Sequence, residues 1–277
     1  MDRIRKALDL ARQERDRSFE PVTDEPRPFD SKQVTRLPNS IQYTKTRKFS
    51  PSAELLESHR ILEASALATT NSNPAAAAFR MLRTQVLQRL NENAWRSLAI
   101  VSPGDDDGKT TTAINLAISL ANDHRHSVLL IDFDLKQPTI AEKLGLTPEM
   151  GSDDVLRGNA SVEDCLFHPE GFDRLVVLPA RGPMAHSSET LAGPRCRELI
   201  AELRGRYPER ILLFDLPPVL GADDALAFVP LVECALMVVA EGSTKREDLL
   251  RSMELLRKTP IVGTVLNRST SAASTYG

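Results

Sequence analysis

Glycine, lysine and threonine stand together at Gly108-Lys109-Thr110, behind the apolar run Ser97 to Val101 and at the head of the stretch KTTTAINLA. A strand that runs into a turn and then a helix leaves the first helical N–H groups without partners, and such a helix start accepts an anion, phosphate above all. Gly108 lets the backbone approach that anion. Lys109 can reach β and γ oxygens, and the hydroxyl of Thr110 can ligate Mg²⁺, the roles of a Walker A loop. The full pattern G-x-x-x-x-G-K-[ST] would place glycine at position 103, where the chain has Pro103, with Gly104 one place late. Asp105, Asp106 and Asp107 set three carboxylates in the same loop. Like charge is expected to weaken affinity for ATP unless they point outward or share a cation.

Other strand ends supply acids. Val128 to Ile131 is a continuous apolar run, the pattern of a strand buried on both faces, and it leads into Asp132-Phe133-Asp134-Leu135-Lys136. The run Arg210 to Phe214 leads into Asp215-Leu216-Pro217-Pro218. Ligands of an open parallel sheet sit at the carboxyl ends of its strands, so Lys109, Asp132, Asp134 and Asp215 are expected to meet on one edge as a Mg-nucleotide site.

These segments resemble the bacterial tyrosine kinases, P-loop enzymes that partner exopolysaccharide and capsule co-polymerases. The likeness rests on the strand leading to GKTTTAINLA, on VLLIDFDLKQP, on ILLFDLPPVLGADDALAF and on GTVLNRS, and it runs from about Pro74 to Gly277. It implies ATP-dependent autophosphorylation on tyrosine with Mg²⁺ as cofactor. Walker A falls at Gly108, Lys109 and Thr110, with Gly104, Asp107 and Thr111 completing the cofactor contacts. Walker A′ falls at Asp132 and Asp134, and Walker B at Asp215. The implied catalytic set is Lys109, Asp132 and Asp134, and the implied metal set is Thr110, Asp134 and Asp215, partly through water. Asp132 would either orient the metal shell or accept the proton of the attacking tyrosine hydroxyl. Asn267 would bond an adenine ring, and Lys136 stands where the family usually has arginine, without the bidentate fork.

The likeness extends to partners. Arg80 and Arg83 match part of a Glu-x-x-Arg-x-x-Arg segment used in subunit contacts, but Ala77 stands at the glutamate position, which removes a charge-assisted partner for a neighbour's arginine. In the family a C-terminal tyrosine cluster is phosphorylated by a neighbouring subunit. This chain carries Tyr276 there, the implied phosphoacceptor. The similarity is above all to the soluble version, whose membrane-bound co-polymerase activator is a separate chain. It implies homo-oligomerisation, a protein tyrosine phosphatase as antagonist, and a cytoplasmic protein held at the inner membrane through its partner.

The elements that must position these residues follow from pattern. A chain of 277 residues has room for one α/β domain of about 200 residues plus extensions. The expected fold is a three-layer P-loop NTPase, with a mostly parallel sheet of about seven strands and helices on both faces. Residues 74–267 form the kinase domain, beginning with a helix Pro74 to Leu90. Residues 1–18 read as an amphipathic helix, 19–49 as a flexible proline-bearing linker containing Tyr43, and 50–73 as a helical arm with Ser50 as N-cap and Pro51 at its first position. Residues 268–277 read as a flexible tail. Leu146 to Asn159 and Arg181 to Ser188 are expected loops, and Asp223 or Asp224 is expected to cap a short helix.

Bulk properties exclude several classes. A net charge of −3 and a pI near 6.0 argue against a nucleic-acid binder. Cys165, Cys196 and Cys234 lack the spacing of a zinc site or disulfide framework. No apolar run approaches the ~20 residues that cross a bilayer, and no signal-peptide core is evident. His168 and His186 have no partner spacing for metal or triad chemistry and read as surface residues. Two alternatives to the kinase remain: a catalytically degenerate, kinase-like regulator of the co-polymerase, and a MinD/ParA-like positioning ATPase.

Overall fold

Four runs that are buried at every position lie side by side at the centre of the molecule: β2 (Ser97–Val101), β3 (Ser127–Asp132), β6 (Arg210–Asp215) and β7 (Cys234–Ala240). The computed structural model describes residues 46–62, 73–206 and 209–269, all within the larger of two units, Arg36–Gly277. The 1–18 helix, nearly all of the 19–49 linker, the end of the 50–73 arm, and all three tyrosines, Tyr43, Tyr207 and Tyr276, lie outside the described residues.

The remaining strands are β1 (Arg47–Phe49), β4 (Phe167–Pro169), β5 (Leu175–Leu178) and β8 (Ile261–Asn267), and the sheet order is β1-β4-β5-β3-β6-β2-β7-β8. Pairing is parallel from β5 through β8, with β4 antiparallel to β5 and β1 parallel to β4. Eight strands thus replace the expected seven or so, and the last three residues of the expected linker form an edge strand. Phe49 meets Phe167 edge to face at 6.4 Å, and Arg47 pairs with Glu149.

Side chains alternate across the strands, so each central strand feeds two cores. Ala99, Leu129, Ile131, Leu212, Phe214 and Met237 point into one, and Leu98, Ile100, Val128, Leu130, Leu213 and Leu236 into the other. The first core is covered by α5 (Ser152–Arg157), α6 (Ser187–Ala192), α7 (Pro194–Arg206) and α8 (Asp224–Phe228). It holds a Phe133–Phe214–Phe228 cluster with centroids 4.9 to 5.5 Å apart. The second is covered by α1 (Ala53–Ser58), α2 (Pro74–Glu92), α3 (Lys109–Ala121) and α4 (Ile140–Leu144). A last helix, α9 (Arg246–Leu255), precedes β8.

Several expected boundaries move for local reasons. The arm's helix starts two residues later, because Ser52, not Ser50, accepts the N–H of Leu55. It stops at Ser58 because Arg60 turns left-handed, φ 57°, and the Asn115 side chain captures the next backbone groups, accepting from Leu62 N at 2.7 Å and donating to the Arg60 carbonyl at 2.9 Å. α2 starts as expected at Pro74, capped by Asn73, and runs on to Glu92. The expected loop 146–159 contains α5, and His168 is not on the surface: it is buried in β4 with Nδ1 2.9 Å from the Leu175 carbonyl oxygen. The three cysteines are free and buried, and burial pushes each thiol up to about 12.

Candidate active site

The turn between β2 and α3 is held from several sides. The Ser102 hydroxyl donates to the Gly104 carbonyl at 2.7 Å, and Gly104 N donates to Asp107 Oδ2 at 3.0 Å. The backbone of the β6 exit adds Val219 N to Ser102 O at 2.9 Å and Leu220 N to Pro103 O at 3.2 Å. Asp106 takes a left-handed φ of 59°, a conformation aspartate tolerates better than most residues. Gly108 has φ +87°, which favours glycine, and a Cβ there would lie 2.0 Å from Asn267 Nδ2 and displace that side chain. The helix start expected from the sequence is present, at Lys109.

The three loop carboxylates separate into two kinds. Asp105 and Asp106 are exposed, as an outward-pointing pair would be, whereas Asp107 is buried. Its Oδ1 accepts the Thr244 hydroxyl at 2.5 Å while its Oδ2 holds Gly104 N, so its side chain serves the loop itself. Asn267 is likewise turned to the loop: its Nδ2 donates to the Asp107 carbonyl at 2.9 Å, one of the several hydrogen bonds its amide can make.

The strand-end acids converge as expected. Asp132 and Asp215 are register partners on β3 and β6, and Phe133 N donates to the Asp215 carbonyl at 2.9 Å. Lys109 Nζ lies 3.9 Å from Asp134 Oδ2, both side chains about nine-tenths buried at 8% and 10% exposure. Thr110 Oγ1 donates to Asp215 Oδ2 at 2.6 Å, which leaves the hydroxyl lone pairs free for a cation. Asp215 Oδ1 is buried with no hydrogen-bond partner. An orphaned carboxylate oxygen beside a hydroxyl fits the few protein ligands and several waters that Mg²⁺ takes. Among the described residues no three His, Cys, Asp or Glu side chains form an all-protein metal cage.

Asp132 differs from its neighbours. It is fully buried, Oδ1 accepts Asp134 N at 3.2 Å, and Oδ2 accepts Ile140 N, the first residue of α4, at 3.0 Å. Its carbonyl accepts the Ser152 hydroxyl at 2.8 Å. Each carboxylate oxygen accepts one main-chain N–H group, so the side chain shapes the loop and keeps further lone pairs of its own. Burial, then repulsion from Asp215, raises its pKa well above the usual range. Burial also raises Asp134, opposed by Lys109, and raises Asp215 to about 6, opposed by Lys109 and the Thr110 hydroxyl.

Residues without an assigned role surround this edge. Asp224, fully buried, and Asp223 pair with Lys136 at 3.1 and 3.9 Å. Asp223 occupies the N-cap position of α8 but makes no side-chain cap bond, so the expected capping role gives way to an ion pair with the loop after β3. Asp153 accepts Arg181 N at 2.8 Å and Arg157 Nη1 at 2.9 Å, which ties α5 to the exit of β5. Thr244 and Ser152 escaped the sequence reading. Thr244 lies beyond the end of β7 at Ala240, whereas Asp132 and Asp215 are the last residues of their strands, so a rule about strand ends does not reach it. Of the two arginines expected at a subunit contact, Arg83 donates to the Ser119 carbonyl of its own chain at 3.2 Å.

Comparison with known proteins agrees with this geometry. Residues 98–275 match the CobQ/CobB/MinD/ParA nucleotide binding domain. The chain is 29% identical over 202 residues to tyrosine-protein kinase YwqD of Bacillus subtilis, covering 72% of this chain and 84% of that protein. It is 32% identical over 205 residues to the succinoglycan biosynthesis transport protein ExoP of Rhizobium meliloti, covering 70% of this chain but only 25% of that protein. The solved VpsO kinase domain superposes with a TM-score of 0.63 at 30% identity, covering 71% of this chain and 96% of that domain.

Proposed function

Since the chain belongs to the bacterial tyrosine kinases, within the CobQ/CobB/MinD/ParA nucleotide-binding family, we propose that it transfers the γ-phosphoryl group of ATP to tyrosine. The acceptor is Tyr276 of a neighbouring copy. The observation that carries this reading is the meeting of Lys109, Thr110, Asp134 and Asp215 at one sheet edge, with Asp215 Oδ1 buried and unpartnered.

In this reading the N–H groups at the start of α3 cradle the phosphates, and Lys109 places its charge on the β and γ oxygens. Thr110 and Asp215 would hold Mg²⁺, with Asp134 as the further residue beside it. Mg²⁺, when held there, would supply charge neutralisation for the transferred phosphoryl group. The Asp134 carboxylate keeps the Lys109 ammonium in place beside the loop. Asp132 fixes the course of the loop from Phe133 to Ile140, and so the place of Asp134. Positioning and charge neutralisation supply most of the rate in such a transfer, so no strongly basic residue is needed. Gly104, Asp107, Thr111 and Asn267 belong to the cradle through the backbone they shape.

The kinase domain is residues 74–267, and the chain regulates exopolysaccharide chain length, polymerisation or export through a separate membrane-bound co-polymerase. The name of ExoP supports that setting. Among the described residues no helix is long and apolar enough to cross a membrane, which agrees with a protein brought to the inner membrane by its partner. Homo-oligomerisation and reversal by a tyrosine phosphatase complete the proposal.

Incubation with γ-labelled ATP and Mg²⁺, alone and with the cytoplasmic segment of its co-polymerase, tests the reading. Label on tyrosine is expected, lost in Lys109→Ala and lost in Tyr276→Phe. No label despite binding to the co-polymerase would replace the kinase by a non-catalytic regulator, a reading that the exposed Asp105 and Asp106 on the phosphate loop would then explain. Release of free phosphate instead would indicate a positioning ATPase.

A further inference from the structure

We propose that Thr244 is a positioning residue for the phosphate loop and acts through Asp107. The hydroxyl of Thr244 accepts Ala240 N at 2.8 Å and donates to Asp107 Oδ1 at 2.5 Å, so both its proton and a lone pair are committed and its rotor is fixed. Ala240 is the last residue of β7, a central, fully buried strand. The carboxylate so anchored draws in Gly104 N at 3.0 Å through its other oxygen and closes the turn on itself. Its main-chain carbonyl is taken by Asn267 Nδ2 at 2.9 Å, and the same amide fills the space that a Cβ on Gly108 would occupy. A continuous chain of bonds thus runs from β7 and β8 to both ends of the segment Gly104 to Gly108.

This arrangement assigns a purpose to an acid that would otherwise repel a polyanion. Asp107 is 3% exposed and accepts two donors, the mark of a residue built into the turn. A carboxylate accepting two hydrogen bonds makes stronger bonds than a neutral acceptor would. The brace can therefore hold backbone N–H groups in the orientation that an incoming phosphate needs. Preorganisation of that kind raises affinity by removing the ordering cost from the binding step. Two accounts of Asp107 therefore predict opposite signs. If it braces, removing it weakens nucleotide binding. If it repels, removing it tightens binding.

The inference rests on the reading of residues 102–108 as the phosphate loop, and the test separates the two. The full chain and its Thr244→Val, Thr244→Ser and Asp107→Ala variants are compared by hydrogen exchange of the 103–108 segment without nucleotide, and by calorimetric titration with Mg-ADP. Thr244→Val and Asp107→Ala are expected to speed exchange in that segment and to weaken Mg-ADP about tenfold, equivalent to ~1.4 kcal/mol. Thr244→Ser, which keeps the hydroxyl, stays within about twofold of the parent in both, well under that tenfold step. Unchanged exchange in Thr244→Val and Asp107→Ala, or tighter Mg-ADP binding by Asp107→Ala, would overturn the brace. Should Thr244→Val fail to fold, Asp107→Ala decides by the sign of its effect. A parent chain that does not bind Mg-ADP would sink the nucleotide reading instead, and exchange alone would then decide the brace.

Discussion

Two loops at the same sheet edge solve one problem in different ways. Each must turn the chain sharply after a buried strand, and each does so with an aspartate whose two oxygens accept hydrogen bonds. In the loop after β3, the donors to the Asp132 carboxylate are N–H groups 2 and 8 residues away, so that side chain braces the turn from within, while Ser152 and Asp215 hold the flanking backbone. In the loop after β2, one donor to Asp107 is local, but the other comes from Thr244, 137 residues on, and the Asn267 amide arrives from 160 residues away. The self-braced loop has to bury a fully enclosed carboxylate beside Asp215. The remotely braced loop takes its rigidity from elsewhere. The difference teaches that a phosphate loop's sequence can look electrostatically wrong while its fold sets the charge to structural use.

The comparison gives a graded set of expectations. Lys109→Ala removes the cation both from Asp134 and from the incoming phosphate, and should lower tyrosine labelling by about 10²–10³-fold, the scale of losing one preorganised charge stabiliser. Labelling rates beside a melting curve check it, since the variant should still fold. Asp132→Ala leaves two buried N–H groups unpaired and should lower unfolding free energy by about 2–4 kcal/mol, read by urea titration. Asp107→Ala strips a less enclosed turn and should cost less stability than Asp132→Ala. The reverse order would break the contrast between self-braced and remotely braced loops.

A pH series sharpens the same contrast. Asp215 has its pKa raised by burial to about 6 from 3.8. The folded state therefore binds this proton more tightly, and its stabilising contribution is full below pH 3.8 and lost as pH rises through about 6. Asp215→Asn removes that loss. The variant's stability relative to the parent should climb between pH 4 and pH 7 by about 2–3 kcal/mol, from 1.36 kcal/mol per unit. A flat difference across that range would show that the burial of Asp215 carries no such penalty. The smallest effect expected is for thiols: with all three cysteines buried and raised to about 12, a thiol reagent should titrate none in the native chain and all three after unfolding.

Much of this edge was legible in the sequence because it is local. The strands β2, β3, β6 and β7 are continuous apolar runs, and Asp132, Asp134 and Asp215 sit where such runs end, so a rule about strand ends finds them. The start of α3 follows from Gly108-Lys109-Thr110 alone. What escaped was non-local or too short to carry a period. The strands β1 and β4 have three residues each, and Arg47-Lys48-Phe49 and Phe167-His168-Pro169 show no apolar alternation. α5 carries Asp153 and Asp154 buried against Arg157 and Arg181, so its acids look like a loop's until the arginine beyond β5 is placed beside them. The part played by Asp107 could not be read from its neighbours because its partner lies on another strand's exit.

The central claim is that Thr110 and Asp215 join the phosphate loop to a Mg²⁺ position, and nucleotide titration with and without the metal tests it most directly. ADP affinity is measured for the parent chain and for Asp215→Asn, each in Mg²⁺ and in EDTA. The account predicts that Mg²⁺ tightens ADP at least tenfold in the parent, about 1.4 kcal/mol, and that the gain largely disappears in Asp215→Asn. Equal affinities in Mg²⁺ and EDTA for the parent, or a full Mg²⁺ gain retained by Asp215→Asn, would contradict it.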